Sequence, residues 1–507
     1  MAIRIVILNV LLLCQIFNIM SKLNYFIQRA IVIFAFVMGS ISMLNAQWVS
    51  PGNGTTYTMS ELVNVTGGVV TFEAPNYYIH GDLTFSTNDT WKIDNGFTKV
   101  FVEDALITIY GSMICENTNR VSIMGDPSFR MRFENATGCL VKKMYFSDGA
   151  GVQLIESDVT FDDVKFVYFT TEYCHSAIDI LNCNPLIENC YFLLNEGAAI
   201  GSPVNGQSSP RIMNCEFDSN VNGANMPQIN LGPGDRDTIY IVANLIDGTY
   251  ANFHTGGISI ADLMGTGDTK ILLKDNTIKN NRYGYNQQGY RLSSVITGNI
   301  IEDNYHEDNP MNGGSGISIY GMDSNNKAVI RENIITGNLW GITAINAFEI
   351  DLGTDNSWGN NRIYGNGNNG EVYDLYNNST YDIKAVGNDW GTANEQEVEK
   401  HIFHQYDDPS LGWVNFIPFI GYDAVNELEA AQFEVSPNPV SNGSFSLILD
   451  KATPSEVEIY NLFGQKVFSQ HIENEVNTII INPLESGVYF VKVKTANNTM
   501  SQKIIIE

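Results

Sequence analysis

The sequence predicts an all-β protein: a right-handed, single-stranded parallel β-helix followed by a small antiparallel β-sandwich. Three observations support this fold class. A six-residue pattern recurs through the central part of the chain at roughly coil-length intervals. Charged residues make up only 17% of the 507 residues, which is typical of a β-rich exported protein. After Tyr422 the repeat stops, and short alternating segments separated by turn residues begin.

The repeat is a hexad with Asn or Cys at position 1, Ile or Phe at position 3 and Asn at position 6. Because side chains alternate along a strand, positions 1 and 3 are predicted to point inward and positions 2 and 4 outward. We expect position 3 to fill the core and the asparagines to hydrogen-bond from coil to coil. A β-sandwich would instead show regular hairpin turns. The clearest copies begin at Cys190, Cys215, Asn276, Asn299, Asn333 and Asn361.

Six cysteines lie beyond residue 46, and none forms a CxxC pair or a Cys/His cluster with zinc spacing. No metal site is therefore expected from them. Cys190 and Cys215 share the inward position of successive hexads, which favours stacked core thiols over a disulfide framework. Export would permit disulfides, so both interpretations stay open.

The N-terminus is predicted to be a signal peptide covering residues 1–46. The apolar run 30–44 follows two basic residues, and cleavage is expected after Ala46. Met20 alone would open a well-formed signal, so we expect translation to start there. The alternative is an uncleaved membrane anchor. No later segment has the roughly 18 apolar residues that span a bilayer, so no transmembrane span is expected after signal removal.

The formal net charge is −28, with 56 acidic against 28 basic residues. Such a field repels nucleic acid and anionic membranes and keeps an exported protein soluble. We therefore expect no nucleic-acid partner, and a monomer.

Three segments carry a family resemblance. Residues 77–85 resemble the first coils of the pectate-lyase-like superfamily. Residues 316–342 are similar to the parallel β-helix repeat that this superfamily shares with periplasmic copper-maturation proteins, and residues 387–418 resemble its closing coil. The resemblance implies the fold and not a reaction. The expected domains are the signal (1–46), the β-helix (47–422), a linker (423–432) and the C-terminal domain (433–507).

The C-terminal domain closely resembles the type A sorting domain of type IX secretion. The resemblance rests on a PNP motif, a GxYxV motif and a basic residue before a short apolar terminus. It implies export by the Sec and then the type IX route, contact with that machinery, and release or attachment at the cell surface. An accessory sugar-binding domain is the alternative. The signature residues are Pro437, Asn438, Pro439, Gly487, Tyr489 and Lys503.

A basic, tyrosine-rich window lies between residues 270 and 291. A polysaccharide containing uronic acids would need cations for its carboxylates and rings for its sugar faces. An ordinary solvated face is the alternative. The candidate glycan-binding residues are Lys274, Arg282, Tyr283, Tyr285, Tyr290 and Arg291.

Position 4 of successive hexads reads Asp218, Asp247, Lys279 and Glu302, which predicts one outward stack. The first three are candidate catalytic residues, and the two aspartates are a candidate Ca²⁺ site; the alternative is a mixed-charge ladder that stabilises the stack. No other cofactor is expected. Because no compact catalytic motif is present, we expect a secreted or cell-surface protein that binds extracellular polysaccharide. The alternative is a polysaccharide lyase or glycoside hydrolase acting on a uronic-acid glycan.

Overall fold

The computed structural model describes residues 47–94, 99–126, 128–222, 225–248, 252–307, 314–367, 373–420, 433–449, 452, 454–481, 484–495 and 499–507. The predicted signal, its cleavage site after Ala46 and the predicted linker 423–432 lie outside the described residues. The chain divides into two compact units, one ending at Ile420 and the other beginning at Gly421.

The first unit is a right-handed parallel β-helix, as predicted. Each coil contributes strands to three sheets that surround one apolar core. Sheet A has 14 strands. They are β1 (Gln47–Val49), β5 (Asp82–Phe85), β8 (Ala105–Ile109), β10 (Phe129–Glu134), β12 (Gly151–Ile155), β15 (Ser176–Leu181), β18 (Ala198–Gly201), β21 (Pro227–Leu231), β24 (Gly256–Asp262), β27 (Tyr285–Gly289), β30 (Ser315–Gly321), β33 (Trp340–Ile345), β36 (Leu375–Asn378) and β38 (Ile402–Phe403).

Sheet B follows sheet A along each coil. It consists of β2 (Thr56–Thr58), β6 (Thr90–Ile93), β13 (Thr160–Asp162), β16 (Leu186–Glu188), β19 (Arg211–Met213), β22 (Thr238–Val242), β25 (Thr269–Lys274), β28 (Leu292–Thr297), β31 (Lys327–Arg331), β34 (Glu349–Asp351), β37 (Ile383–Lys384) and β39 (Val414–Asn415).

Sheet C contains the hexads. It consists of β3 (Val70–Glu73), β4 (Asn76–Ile79), β7 (Lys99–Val102), β14 (Lys165–Val167), β17 (Tyr191–Leu193), β20 (Glu216–Asp218), β23 (Leu245–Asp247), β26 (Thr277–Lys279), β29 (Ile300–Glu302), β32 (Ile334–Thr336) and β35 (Arg362–Ile363). The long strands β9 (Ser112–Gly125) and β11 (Leu140–Ser147) pair in both sheet B and sheet C.

The hexad takes the predicted orientation. In the copy that begins at Asn276, Ile278 is fully buried and Lys279 faces outward. The position 1 amides form a continuous ladder: Asn299 Nδ2 donates to Asn333 Oδ1 (2.8 Å), and Asn333 Nδ2 donates to Asn361 Oδ1 (2.9 Å). Each amide also satisfies a backbone carbonyl of the preceding coil, so the buried corners keep their hydrogen bonds.

Cysteine replaces asparagine at the start of this ladder. The backbone N–H of Cys190 lies 3.4 Å from Cys215 Sγ, and the N–H of Cys215 donates to Asn244 Oδ1 (2.8 Å). The six described cysteines are free thiols, and all are buried. Stacked thiols therefore occupy the core where a disulfide framework was the alternative.

Among the described residues, two short helices flank the coils: α1 (Met59–Val65) near the N-terminal end and α2 (Glu395–His401) near the C-terminal end. Thr58 and Glu61 form a capping box at α1, and Asn394 caps α2. Val398 of α2 is fully buried against the last coils. No helix among the described residues is both long and apolar enough to cross a membrane.

The second unit is a small antiparallel sandwich with its own apolar core. This arrangement confirms the predicted fold class. Sheet D contains β40 (Phe433–Ser436), β41 (Ser444–Leu449) and β44 (Val476–Ile480), and sheet E contains β42 (Ser455–Asn461), β43 (Lys466–Ile472), β45 (Gly487–Lys494) and β46 (Thr499–Ile506).

Candidate functional site

Ten successive strands of sheet A, β12 to β38, carry one register-aligned row of outward-facing side chains, and the same register continues to Arg132 of β10. At the spacing of neighbouring strands, the row is about 43 Å long. We call it the sheet A row, and its members are Gln153, Asp179, Gly201, Asn230, Ser259, Asn286, Ser318, Thr343, Tyr376 and Phe403.

Short polar side chains dominate the middle of the sheet A row. Asn286 Nδ2 donates to Ser259 Oγ (3.0 Å), so neighbouring members lie within hydrogen-bonding reach of each other. Between Asp179 and Phe403 the row contains no charged residue. Amides and hydroxyls offer both donors and acceptors, which suits a ligand rich in hydroxyl groups.

A cavity of about 330 Å³ opens on sheet A around Asp179. Gly201, the next residue of the row, leaves room there, because a Cβ at this position would lie 2.2 Å from Ser176 Oγ and 3.4 Å from Asp179 Oδ1. Leu181, Pro203, Val204 and Leu231 supply apolar parts of the lining. The cavity therefore combines one carboxyl group with an apolar wall.

Asp179 has an unusual environment for a carboxyl group on a strand surface. Burial raises the pKa of Asp179, and this outweighs the opposing effects of the Ser176 hydroxyl and the His175 backbone N–H, which both donate to the carboxylate. The His175 nitrogen lies 3.2 Å from Asp179 Oδ2. A carboxyl group with a raised pKa beside a cavity can hold or transfer a proton.

Four aromatic side chains close the opposite end of the sheet A row. Tyr376 lies 5.2 Å from Trp340 and 4.9 Å from Phe403 between ring centroids, and Tyr373 contacts Trp340 and Phe403 edge-on. All four are half-buried, so each keeps part of its surface in solvent. We call these residues the ring cluster.

The predicted position 4 stack exists on the outer surface of sheet C. Asp218 pairs with Asp247, Asp247 with Lys279, and Lys279 with Glu302 in strand register. Lys279 Nζ lies 3.4 Å from Asp247 Oδ2. We call these four residues the sheet C row.

The two aspartates of the sheet C row have partners within the protein. Asn280 donates to Asp247 Oδ1 (2.7 Å), and Tyr191 and Ser219 donate to Asp218. These contacts are those of a mixed-charge ladder. Among the described residues, no group of three or more His, Cys, Asp or Glu side chains is placed to hold a metal ion.

The six predicted glycan-binding residues surround one coil and do not line one groove. Lys274 ends a sheet B strand and lies 3.7 Å from Asp275. Arg282 and Tyr283 occupy the corner between sheets C and A, where the guanidinium lies 5.1 Å from the ring centroid and donates to Asn225.

Tyr290 and Arg291 occupy the next corner, between sheets A and B. Arg291 faces Asp268 at 3.9 Å and also donates to the backbone carbonyl of Gly265. Tyr285 must be corrected as a sugar-stacking candidate, because its side chain is fully buried. It pairs in register with inward-facing Ile258 and Ile317, so strand alternation points it into the core.

The sequence analysis did not predict the sheet A row or the ring cluster as a site. The signal that would have revealed them is a second repeat, the small-residue strand that follows each hexad, as in β18, β24 and β30. Its residues vary in chemistry and share only an alternating orientation. Aligning these strands on their inward Ile and Ala residues would have exposed the outward row.

The signature residues of the C-terminal domain converge on its last strand. Asn438 Nδ2 donates to the Lys503 carbonyl (3.0 Å), and the Ile505 N–H donates to Asn438 Oδ1 (2.9 Å). Gly487 and Tyr489 pair with Ile506 and Ile504 along β46. The Asn438 amide adds two hydrogen bonds to the edge of the terminal strand, next to those that the Val440 backbone makes with Ile505 and Glu507.

Two family models match the chain. The family "Secretion system C-terminal sorting domain" matches residues 434–507, and "Protein of unknown function (DUF1565)" matches residues 246–396. No curated protein matches the sequence.

Two solved structures are similar to this chain at low sequence identity. The periplasmic alginate epimerase AlgG, as a mutant, is 11% identical over 72% of this chain and 83% of its own, with a TM-score of 0.41. The tailspike protein gp49 from Acinetobacter baumannii bacteriophage Fri1, a capsular polysaccharide depolymerase, is 7% identical over 91% of this chain and 78% of its own, with a TM-score of 0.19. The chain is a parallel β-helix protein with a C-terminal sorting domain that directs it through type IX secretion to the cell surface or beyond.

Proposed function

We propose that this exported protein binds extracellular polysaccharide along the outer surface of sheet A. The observation that carries the proposal is the sheet A row itself, a register-aligned and mainly polar row of side chains that ends at the ring cluster. Hydroxyl and amide groups pair with sugar hydroxyls, and aromatic rings cover the apolar faces of sugars. A polymer that runs along the solenoid axis would meet one row residue per coil.

The charge of this surface bears on the class of polysaccharide. A uronic-acid polymer needs cations, and the row offers none between Asp179 and Phe403. Arg132, next to Gln153 in the same register, already pairs with Glu134 at 2.9 Å. The basic window predicted for such a ligand is distributed over different sheets and corners. We therefore place neutral polysaccharides ahead of uronic-acid polymers as ligands of the sheet A row.

A binding experiment tests the proposal. The full exported chain is run in native gels that contain one neutral or one uronic-acid polysaccharide each, and retardation gives the affinity. Tyr376→Ala/Phe403→Ala is expected to weaken binding about tenfold, because aromatic anchors dominate such interfaces. Tyr78→Ala/Phe101→Ala is the matched control, since these rings are also stacked and half-buried but lie on sheet C. Equal losses in both variants, or binding unaffected by either, would refute this site.

Asp179 supports a second candidate function, polysaccharide cleavage at the cavity. A carboxyl group whose pKa is raised by burial can act as a general acid or base. Incubation of the wild type and Asp179→Asn with the polysaccharides that bind, followed by analysis of reducing and unsaturated ends, separates the two functions. Product formed by the wild type and lost in Asp179→Asn would indicate an enzyme. Unchanged polysaccharide with retained binding would indicate a binding protein.

A further inference from the structure

The hairpin between β42 and β43 in the C-terminal domain presents two apolar side chains to solvent. Leu462 is 66% exposed and Phe463 is 90% exposed. We call these two residues the apolar tip. A nearly fully exposed phenylalanine contributes nothing to the core of its own domain. Leu462 and Phe463 together form a small contiguous apolar patch, and apolar patches rimmed by polar residues occur at interaction sites.

The backbone beneath the apolar tip is held in one conformation. Asn461 Oδ1 accepts hydrogen bonds from the N–H groups of Phe463 and Gln465, both at 3.0 Å. Asn461 Nδ2 donates to Gln465 Oε1 (2.9 Å), and Gly464 adopts a φ of 74° to close the turn. A preorganised loop loses little conformational entropy on binding, so its exposed side chains can act as anchors.

The charges around the apolar tip favour a protein partner over a membrane surface. Lys466 is the only charged residue between positions 461 and 466. It already pairs with Glu458 at 3.0 Å, and Lys494 pairs with the same carboxylate at 2.6 Å. An anionic lipid surface attracts clusters of unpaired basic residues, which this hairpin does not carry.

The family match of the C-terminal domain indicates which class of protein the apolar tip would bind. Residues 434–507 form a secretion sorting domain, so proteins of the type IX apparatus must handle this domain during export. We propose that Leu462 and Phe463 insert into an apolar pocket on a protein of that apparatus. The inference concerns delivery and does not rest on polysaccharide binding.

Export of the full-length protein from a bacterium that carries the type IX apparatus tests the proposal. Leu462→Thr/Phe463→Thr is expected to reduce the protein at the cell surface and in the medium by at least about tenfold, with the unprocessed form retained inside. The matched control is Val476→Thr/Ile480→Thr. It changes two apolar residues of sheet D that are 58% and 63% exposed. This control is expected to be exported like the wild type.

Three outcomes would overturn the proposal. The first is export of the tip variant at the wild-type level, and the second is equal retention of the control. The third comes from a conservative variant, Leu462→Met/Phe463→Met, which keeps apolar side chains and should be exported. Its retention would show that the backbone matters and not the apolar contact. This third arm also decides the matter if the threonine variant fails to fold.

Two other binding partners of the apolar tip, a membrane and a second copy of this chain, are tested with the purified wild type and with Leu462→Thr/Phe463→Thr, the tip variant. Membrane binding is measured by co-sedimentation of each protein with vesicles of anionic phospholipid. Self-association is measured by analytical ultracentrifugation of each protein at increasing protein concentration. We expect neither vesicle binding nor self-association that depends on the apolar tip. Vesicle binding lost in the variant would assign the tip to a membrane, and self-association lost in the variant would assign it to a second copy. Either result would overturn the proposal.

Discussion

The outer surfaces of sheets A and C are made by the same coils and differ in how their side chains are satisfied. The sheet C row places Lys279 between the carboxylates of Asp247 and Glu302 in register, and Lys279 pairs with Asp247 at 3.4 Å. The sheet A row carries amides, hydroxyls and, at one end, rings. A solenoid repeats its backbone geometry on every face, so side-chain chemistry alone decides which face serves the stack and which faces a ligand.

The largest effect is expected when the asparagine ladder at hexad position 1 is interrupted, because this ladder supports the coils that form both surfaces. Asn333→Ala deletes the acceptor of the two Asn299 N–H donors and the donor to the Ile296 carbonyl. Leaving several buried groups unpaired should cost about 3–5 kcal/mol of unfolding free energy. Urea unfolding followed by circular dichroism measures this loss. The exposed Asn325→Ala is the control and should change stability by less than about 0.5 kcal/mol; a similar loss in both variants would contradict the role of the ladder.

The next prediction tests the difference between the two surfaces directly. Ser318→Glu places a carboxylate in the middle of the sheet A row and is expected to weaken polysaccharide binding about tenfold, because the charge would lose its hydration under a bound glycan. Thr336→Glu places the same group on sheet C, beside Glu302 in register. Its affinity should equal that of the wild type. Native gels with the bound polysaccharide measure both, and the reverse order of effects would place the glycan on sheet C.

The stability of the fold is predicted to depend on pH at the C-terminal end of the second asparagine ladder, where Asp374 and His401 lie. The ladder at hexad position 6 ends when Asn366 Nδ2 donates to Asp374 Oδ1 (2.9 Å), and His401 Nδ1 lies 2.9 Å from Asp374 Oδ2. The hydrogen bond to Asp374 raises the pKa of His401 above its ordinary 6.5. Protonated His401 therefore stabilises the fold below that ordinary value, and the contribution disappears as pH rises through the raised pKa.

Thermal unfolding of the wild type and His401→Gln across about pH 5 to 9 measures this contribution. We expect the difference in unfolding temperature between the two proteins to be larger at the acidic end and to shrink toward the alkaline end. A difference that grew with pH would contradict the assignment of the proton to His401.

The smallest expected effect concerns the sheet C row itself. Lys279→Ala removes a half-exposed ion pair and should lower the unfolding free energy by less than about 1 kcal/mol. Polysaccharide binding should be unchanged, because the sheet C row does not face the proposed ligand. Urea unfolding and native gels measure the two quantities. A loss of binding in Lys279→Ala would return the ligand to the predicted basic window.

The sequence predicted the parts of the fold that repeat. Asn299, Asn333 and Asn361 recur at hexad position 1 because each must hydrogen-bond to the next, so their identity is fixed and visible. The convergence of Asn438 with the terminal strand was likewise signalled by fixed motifs.

The candidate site was less accessible to sequence reasoning because nothing constrains its residues to be alike. Ser259, Asn286 and Ser318 share a face through strand alternation alone. The residues of the basic window are distributed around the coil for a related reason. A coil of the solenoid turns through three sheets within about two dozen residues. Lys274 and Arg282 are therefore close in sequence, yet Lys274 ends a sheet B strand and Arg282 lies at the corner between sheets C and A. Tyr285 shows the same effect, because its neighbours in sequence gave no sign of its burial.

Because each coil contributes one residue to the sheet A row, the number of coils sets the length of polymer that the row can contact. Each coil that a gene duplication adds would lengthen the row by about 4.8 Å and leave both ends intact, because every coil contacts only its neighbours. The number of sugar units that such a protein covers can thus evolve in steps, separately from the chemistry at the Asp179 end and at the ring cluster. Engineered insertion of whole coils offers the same control over the length of polymer recognised.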